Sequence, residues 1–141
     1  MPPDPARAED TRAWLDKAAG DLRAGAHSLT ADPPLTFDVS FHAQQASEKA
    51  LKAFLAWHDR PLRKTRNLEE IGEACLVIDA SLRPLIDRAA PLSEYAWRFR
   101  YPGDANDPTS EEAVAALAIA RDVFQAVIDR LPADVRQAGR A

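Results

Sequence analysis

The sequence is poor in cysteine, histidine and glycine. Its 141 residues include one cysteine, three histidines and five glycines. A single cysteine excludes an internal disulfide and fits a reducing compartment, so we expect a cytoplasmic protein. His27, His42 and His58 show no metal-ligand spacing to one another, to the cysteine or to a carboxylate. We therefore expect no metal site and no cofactor.

Long apolar runs and the common nucleotide-binding motifs are also missing. A membrane-spanning helix needs about 18 or more consecutive apolar residues, and the sequence has no such run. The first residues lack the apolar stretch of a signal peptide. No glycine-rich phosphate loop, serine-nucleophile motif or dinucleotide fingerprint occurs. The net charge of −4 gives no overall positive field that would favour nucleic acid.

Helical periodicity is present along most of the chain. Together with 46% hydrophobic residues, it predicts one all-α domain over residues 1–141, an antiparallel up-and-down bundle of four to five helices. We expect a core from about residue 9 to 131 and flexible ends at 1–8 and 132–141. The predicted helices span residues 9–26, 37–58, a segment capped by Asn67, residues 83–98 with an interruption near Pro91, and a last segment capped by Ser110.

The predicted second helix carries polar residues where a bundle helix normally has its core. At 100° per residue, Gln44 and Glu48 fall on the face of its phenylalanines and leucines, with Gln45 and Lys52 at the border. Two interpretations remain open and do not exclude each other. Gln44, Gln45 and Glu48 are either a structural polar stripe or the lining of a ligand groove.

The carboxylate of Glu48 needs a partner in either case, because burying an unpaired charge is costly. The end of the predicted fourth helix carries paired arginines outside any loop. We predict that Glu48 is substantially buried and ion-paired with Arg98 first and Arg100 second.

Two segments concentrate groups that can bind an anion. The loop 60–66 is strongly basic, and the segment 95–104 contains two arginines, two tyrosines and a Pro-Gly turn. Arginine donates bidentate hydrogen bonds to phosphate, and tyrosine can stack on a base. The loop gains interest if it lies at the same end of the bundle as Arg100; otherwise it is a solvated surface loop. The candidate anion- or nucleotide-binding residues are Lys52, Arg66, Arg98, Arg100 and Tyr101.

Residues 41–53, Phe-His-Ala-Gln-Gln-Ala-Ser-Glu-Lys-Ala-Leu-Lys-Ala, resemble the second-helix signature of HEPN domains (higher eukaryotes and prokaryotes nucleotide-binding domains). The resemblance extends to Thr65–Leu68 and to Arg100–Asp104, and so spans the chain from about Trp14 to Leu131. It implies a helical bundle, often a homodimer, that binds a nucleotide or RNA. It also implies a small nucleotidyltransferase partner in a toxin–antitoxin-like pair.

Many HEPN domains are metal-independent endoribonucleases with an Arg-x(4–6)-His motif. Counted from Arg98, the histidine belongs at 103–105, where this chain has Gly-Asp-Ala; counted from Arg100, it belongs at 105–107, where it has Ala-Asn-Asp. The group that would handle the 2′-hydroxyl proton is therefore missing, and Asn67 replaces another frequent histidine of the family.

Three functional hypotheses follow. The first is a non-catalytic HEPN module that binds a nucleotide or RNA phosphate, with no catalytic residue assigned. The second is a HEPN endoribonuclease with a non-standard site, in which His42 or Asp104 replaces the missing histidine. The third is a structural dimerisation protein whose interface is anchored by Trp57 or Trp97, since tryptophan is enriched in interface hot spots.

Overall fold

The computed structural model describes residues 4–62, 64–97, 102–103 and 106–136, and all regular secondary structure in these ranges is helical. The prediction of an all-α bundle is confirmed. The helices are α1 (Pro5–Leu29), α2 (Thr36–Trp57), α3 (Leu68–Ile78), α4 (Arg83–Ala89), α5 (Ser110–Asp129) and the short α6 (Ala133–Arg136), with 3-10 segments at Ala80–Leu82 and Ala90–Ala96.

Side-chain caps set the beginnings of the helices. Helix α1 begins before the predicted Glu9, because the Asp4 carboxylate accepts the Ala6 amide hydrogen at 3.0 Å and Pro5 suits the first helical position. Asn67 caps α3 as predicted, accepting the amide hydrogen of Glu69 at 2.9 Å.

The cap of α5 differs from the prediction by one residue. Thr109, not Ser110, accepts the Glu112 amide hydrogen at 3.1 Å, and the Glu112 carboxylate accepts the Thr109 amide hydrogen at 3.0 Å. This reciprocal capping box satisfies two helix-end donors, which a cap at Ser110 would not achieve with the same glutamate.

The predicted interruption of the fourth helix is observed. Helix α4 ends at Ala89, and the chain continues as the 3-10 segment Ala90–Ala96. Pro91 lies at the start of that segment. A proline lacks the amide hydrogen of the α-helical ladder and clashes with the preceding turn, so the helix changes its winding there.

Helix α2 lies at the centre of the bundle, where it contacts α1, α3, α5 and the 3-10 segment Ala90–Ala96. Leu51 and Phe54 are each 1% exposed. Phe37 and Phe41, expected in the core, are only half-buried and stack on each other with ring centroids 6.0 Å apart. Because α2 is surrounded by neighbours, its buried residues do not form a single apolar face.

Helix α3 runs in the same direction as α2, which corrects the expected path of the chain. The Gln44 side chain contacts the Arg66 carbonyl, and the Cys75 thiol contacts the Leu51 carbonyl further along both helices. At the far end, His58 follows α2 and Asp79 follows α3. Burial lowers the pKa of His58, and the charge of Asp79 is close enough to raise it in part. In the up-and-down order expected from the sequence, the third helix would run back along the second, and that part of the expectation is wrong.

The turn at the end of α2 explains this path. Asp59 adopts a left-handed conformation with φ 55°. The Asp59 amide donates to the Ala56 carbonyl at 3.1 Å, and the Arg60 amide donates to the Leu55 carbonyl at 2.9 Å. This Schellman arrangement ends the helix and reverses the chain. The loop between α2 and α3 then runs back along α2, so that α3 begins near the start of α2.

Both ends of the chain contribute to the core. Ala8 in α1 is 7% exposed, and Val135 in α6 is fully buried. Ala8 lies in the segment 1–8 and Val135 in the segment 132–141, which the sequence analysis placed outside the core. The packed part of the bundle therefore extends beyond the predicted limits.

The capping box predicts a specific loss of stability. Replacing Thr109 with alanine should lower the free energy of unfolding by about 0.5–2 kcal/mol, because the Glu112 amide loses its acceptor. Urea denaturation measures this difference. Ser110→Ala is the matched control and should change stability by no more than about 0.5 kcal/mol. A larger effect at Ser110 than at Thr109 would contradict the observed cap.

Asp79 joins the end of α3 to the end of α5. Its carboxylate accepts hydrogen bonds from the Ser81 hydroxyl at 2.6 Å and the Ser81 amide at 3.0 Å, and from Arg130 Nε at 2.7 Å. The hydrogen bonds from Ser81 and Arg130 lower the pKa of Asp79 from 3.8 to about 2.

This shift gives a pH dependence with a definite sign. The lowered pKa means that Asp79 stabilises the fold fully above its ordinary pKa of 3.8, and that this contribution is lost as the pH falls towards about 2. Asp79→Asn should therefore destabilise the protein near neutral pH and show a flatter decline of urea midpoint below pH 3.8. Asp16→Asn, an exposed position on α1, is the control. Parallel pH profiles for Asp79→Asn and the unchanged protein would contradict the assignment.

Candidate functional site

The polar stripe of α2 (Gln44, Gln45 and Glu48) is a connected hydrogen-bond network. The Gln45 amide donates to the Gln44 side-chain oxygen at 2.6 Å, and the Gln44 amide donates to Glu48 Oε1 at 3.4 Å. Gln44 is fully buried, Gln45 is 8% exposed and Glu48 is 6% exposed. The expected burial of Glu48 is observed, and each stripe residue has a polar partner that offsets its desolvation.

Glu48 is ion-paired with Lys52, one turn further along the same helix. The Lys52 ammonium lies 3.1 Å from Glu48 Oε2 and 5.5 Å from the centroid of the Trp14 ring on α1. Both charged residues are almost fully buried, with Lys52 8% exposed. The predicted partners Arg98 and Arg100 lie outside the described residues.

The stripe also holds the end of the basic loop. The second hydrogen of the Gln44 amide is donated to the Arg66 backbone carbonyl at 3.1 Å. The Arg66 side chain is exposed. The contact therefore fixes where Arg66 lies and leaves its guanidinium group available to solvent.

A cleft of about 500 Å³ lies above α2, between the returning loop and α3. Its size is typical of small-ligand sites. Lys52 and Leu55 contribute from α2, but three glutamates of α3 line the same cleft. Because Glu48 already neutralises Lys52, the cleft interior is acidic and does not favour phosphate. The lining residues are Lys52, Leu55, Pro61, Thr65, Asn67, Glu69, Glu70, Ile71, Glu73, Ala74 and Val77.

The segment that leads to Arg98 lies at the same end of the bundle as Arg66. The Ser93 hydroxyl accepts the Leu68 amide hydrogen at 2.8 Å, which joins the 3-10 segment to the first residue of α3. Two residues further on, burial raises the pKa of Tyr95, and the charges of Glu112 and Glu94 add to this.

These contacts bring one half of the basic loop to the end of the bundle that the 3-10 segment reaches. Arg66 lies at the amino-terminal end of α2, towards which the 3-10 segment also runs, whereas Arg60 follows the opposite end of α2. Lys64 is exposed, like Arg66. Arg98, Arg100 and Tyr101 themselves lie outside the described residues.

Two of the histidines have structural partners. His42 Nδ1 and the Lys49 ammonium lie 2.9 Å and 2.6 Å from the two oxygens of Asp21, which ties α2 to α1. The His58 ring packs edge-on against Phe54 with centroids 4.7 Å apart. The sequence analysis missed the Asp21 cluster because no spacing along one helix reveals a partner on another.

Thiol chemistry and metal binding find no support in the described ranges. Burial raises the pKa of the Cys75 thiol to about 12, so a reactive thiolate is negligible near neutral pH. Residues 4–62, 64–97, 102–103 and 106–136 contain no group of three or more histidine, cysteine, aspartate or glutamate residues placed to hold a metal ion. None of the helices in these ranges has the length and apolar character needed to cross a bilayer.

Comparison with known proteins adds the family. The family model described as the HEPN domain matches residues 11–131, which cover all of α2 to α5 and most of α1. The chain belongs to the HEPN domain family. No curated protein and no solved structure matches it significantly. The HEPN match spans the polar stripe, the basic loop and the segment that leads to Arg98.

The buried ion pair predicts a large effect of a single substitution. Glu48→Ala should lower the free energy of unfolding by about 3–5 kcal/mol, because the Lys52 ammonium is left buried without its counter-charge. Glu73→Ala is the control, since the Glu73–Arg83 pair is exposed on both sides and is expected to contribute about 0–1 kcal/mol.

A double variant separates charge from packing. Glu48→Gln combined with Lys52→Met removes both charges and should be more stable than Glu48→Ala, because no unpaired ion remains. Urea denaturation compares the three proteins. Equal losses for Glu48→Ala and Glu73→Ala would show that the pair is not buried in solution.

Proposed function

We propose that this HEPN domain is a non-catalytic module that binds the phosphate groups of a nucleotide or of RNA. The observation that supports it most is the Leu68–Ser93 hydrogen bond. It brings the exposed Arg66 to the end of the bundle that the 3-10 segment reaches. In the sequence, that segment is followed closely by Arg98, Arg100 and Tyr101. HEPN membership adds that related domains are associated with nucleotide or RNA binding.

Arg66 is the best-supported anion-binding residue of the proposal. Its carbonyl is held by Gln44 at 3.1 Å and the residue is exposed, so its position is fixed while its side chain can reach a phosphate from solvent. Arg98 and Arg100 are proposed to add charge, and Tyr101 to add a stacking face. Lys52 is proposed to contribute least, since it is paired with Glu48 and lines the acidic cleft.

The absence of catalysis is proposed from the sequence. No histidine stands at the positions that the ribonuclease motif requires after Arg98 or Arg100. His42 is bound to Asp21 between α1 and α2, and His58 lies at the other end of α2. As further proposals drawn from the family, the domain forms a homodimer and acts with a small nucleotidyltransferase.

The role of Arg66 can be tested by binding measurements at several salt concentrations. For a labelled single-stranded RNA followed by fluorescence anisotropy, Arg66→Ala should weaken binding by about tenfold. The slope of log K against log salt should also become shallower by about 0.7, the value for one lost phosphate contact.

Arg88→Ala is the matched control, since Arg88 is exposed on α4 and pairs with Asp122 on α5. It should leave both the affinity and the salt slope unchanged. Absence of RNA or nucleotide binding at millimolar ligand, or equal affinities for the Arg66 and Arg88 variants, would contradict the proposal. Gel analysis of the recovered RNA checks for cleavage, which would restore the endoribonuclease alternative.

A further inference from the structure

We infer that the outer face of α3 forms a docking groove for an amphipathic helix of another protein, with an apolar stripe flanked by basic residues. The inference goes beyond phosphate binding and does not depend on it, because this groove is apolar and acidic. It depends on three observations: the exposed apolar edge of α3, the elongated shape of the groove, and the charges that line it.

Helix α3 carries apolar residues on its outer face as well as on its inner one. Its inner face packs against α2, α4 and the two 3-10 segments. On the outer face Val77 is 78% exposed, and Ala74 is also exposed. Residues three apart on a helix are neighbours on its surface, so these two side chains form one apolar edge. The part of the chain that the structure describes leaves this edge open to solvent.

This edge borders a groove rather than a flat surface. The cleft of about 500 Å³ adjoins a second cavity of about 220 Å³, since both are lined by Pro61, Ala74 and Val77. Leu55 of α2 contributes to an apolar floor. The lining residues of α3 and its cap extend over positions 67–77, about 15 Å at 1.5 Å per residue. An elongated apolar groove of this length suits the apolar face of a short helix.

The charges at the wider end of the groove are negative. Glu69 and Glu70 line the larger cleft and are exposed, and within the described ranges neither carboxylate has an ion-pair partner. Lys52 is the one basic residue among the described residues that line this cleft, and Glu48 neutralises it. A helix that enters the groove therefore meets negative charge beside an apolar floor. Lysine or arginine on its flanks complements that charge.

A second copy of the chain and a compact cation are the competing occupants. Each face has two unpaired glutamates, Glu69 and Glu70, against Arg60 in the smaller cavity. Two such faces would therefore meet with the same net sign of charge, which disfavours self-association. A compact cation would fill only the larger cleft and leave the adjoining cavity uncovered. A basic amphipathic helix matches both the charge and the length of the groove.

The test measures binding of two fluorescein-labelled peptides by fluorescence anisotropy. Both have leucine at every third or fourth position over about four helical turns; one has lysine beside the leucines and the other has glutamate at the same positions. The lysine peptide should bind at least about tenfold more tightly than the glutamate peptide, because the groove selects by charge as well as by apolar contact.

Two substitutions locate the binding on α3. Val77→Asn should weaken binding of the lysine peptide by at least about fivefold, since it removes an apolar anchor. Val114→Asn is the matched control, because Val114 is 50% exposed on α5 and is not among the residues that line either cavity. Glu70→Gln should narrow the difference between the two peptides by roughly two- to fivefold, and Glu9→Gln on α1 should not.

The outcomes separate this inference from the proposed function. Equal affinities for the two peptides, binding of neither, or equal effects of Val77→Asn and Val114→Asn would overturn the docking groove while phosphate binding at Arg66 stands. Loss of RNA binding in the Arg66 experiment would contradict the proposed function and leave the groove untouched.

Two further results would assign the groove to a competing occupant. If light scattering shows a dimer that Val77→Asn converts to a monomer, the face binds a second copy and the inference is wrong. If a lysine peptide of one helical turn competes as well as the full-length peptide, the groove takes a compact cation and the inference is also wrong.

Discussion

The buried amide of Gln44 joins the parts of this structure that matter most. One of its hydrogens is donated to Glu48 within α2, and the other to the carbonyl of Arg66 in the returning loop. A buried amide that lost either acceptor would leave a polar group unsatisfied, at a cost of about 1–3 kcal/mol. One side chain therefore contacts both the returning loop and the buried Glu48–Lys52 pair.

This double contact explains why the HEPN signature of α2 is polar at positions where an ordinary bundle helix is apolar. Leucine at 44 and 48 would pack well, but it would give the loop no acceptor or donor to bind. Within the described residues, the Glu48–Lys52 pair then balances the buried charge on α2. Conformational specificity is a known use of buried polar groups, and the register of the loop is what is specified here.

Local structure was predictable from the sequence, and long-range arrangement was not. Asn67 as a cap and the interruption near Pro91 follow from short-range chemistry, and both are observed. The position of Thr109 was missed by one residue because Thr109 and Ser110 are both suitable caps. The direction of α3 depends on how far the loop 59–67 extends, which no periodicity reports. The burial of Glu48 was predictable from its neighbours. The pairing of Glu48 with Lys52, four residues along α2, was not predicted, and the predicted partners Arg98 and Arg100 lie outside the described residues.

The left-handed turn at Asp59 has a consequence for the length of the loop that follows it. From His58 back to Gln44 the loop must cover 14 helical residues, about 21 Å at 1.5 Å per residue. The eight residues from Asp59 to Arg66 reach about 26–29 Å when fully extended. The loop therefore has little length to spare. Insertions can bulge outward into solvent, but a deletion of two residues would pull Arg66 away from Gln44, so selection on this segment should act on its length as strongly as on its composition.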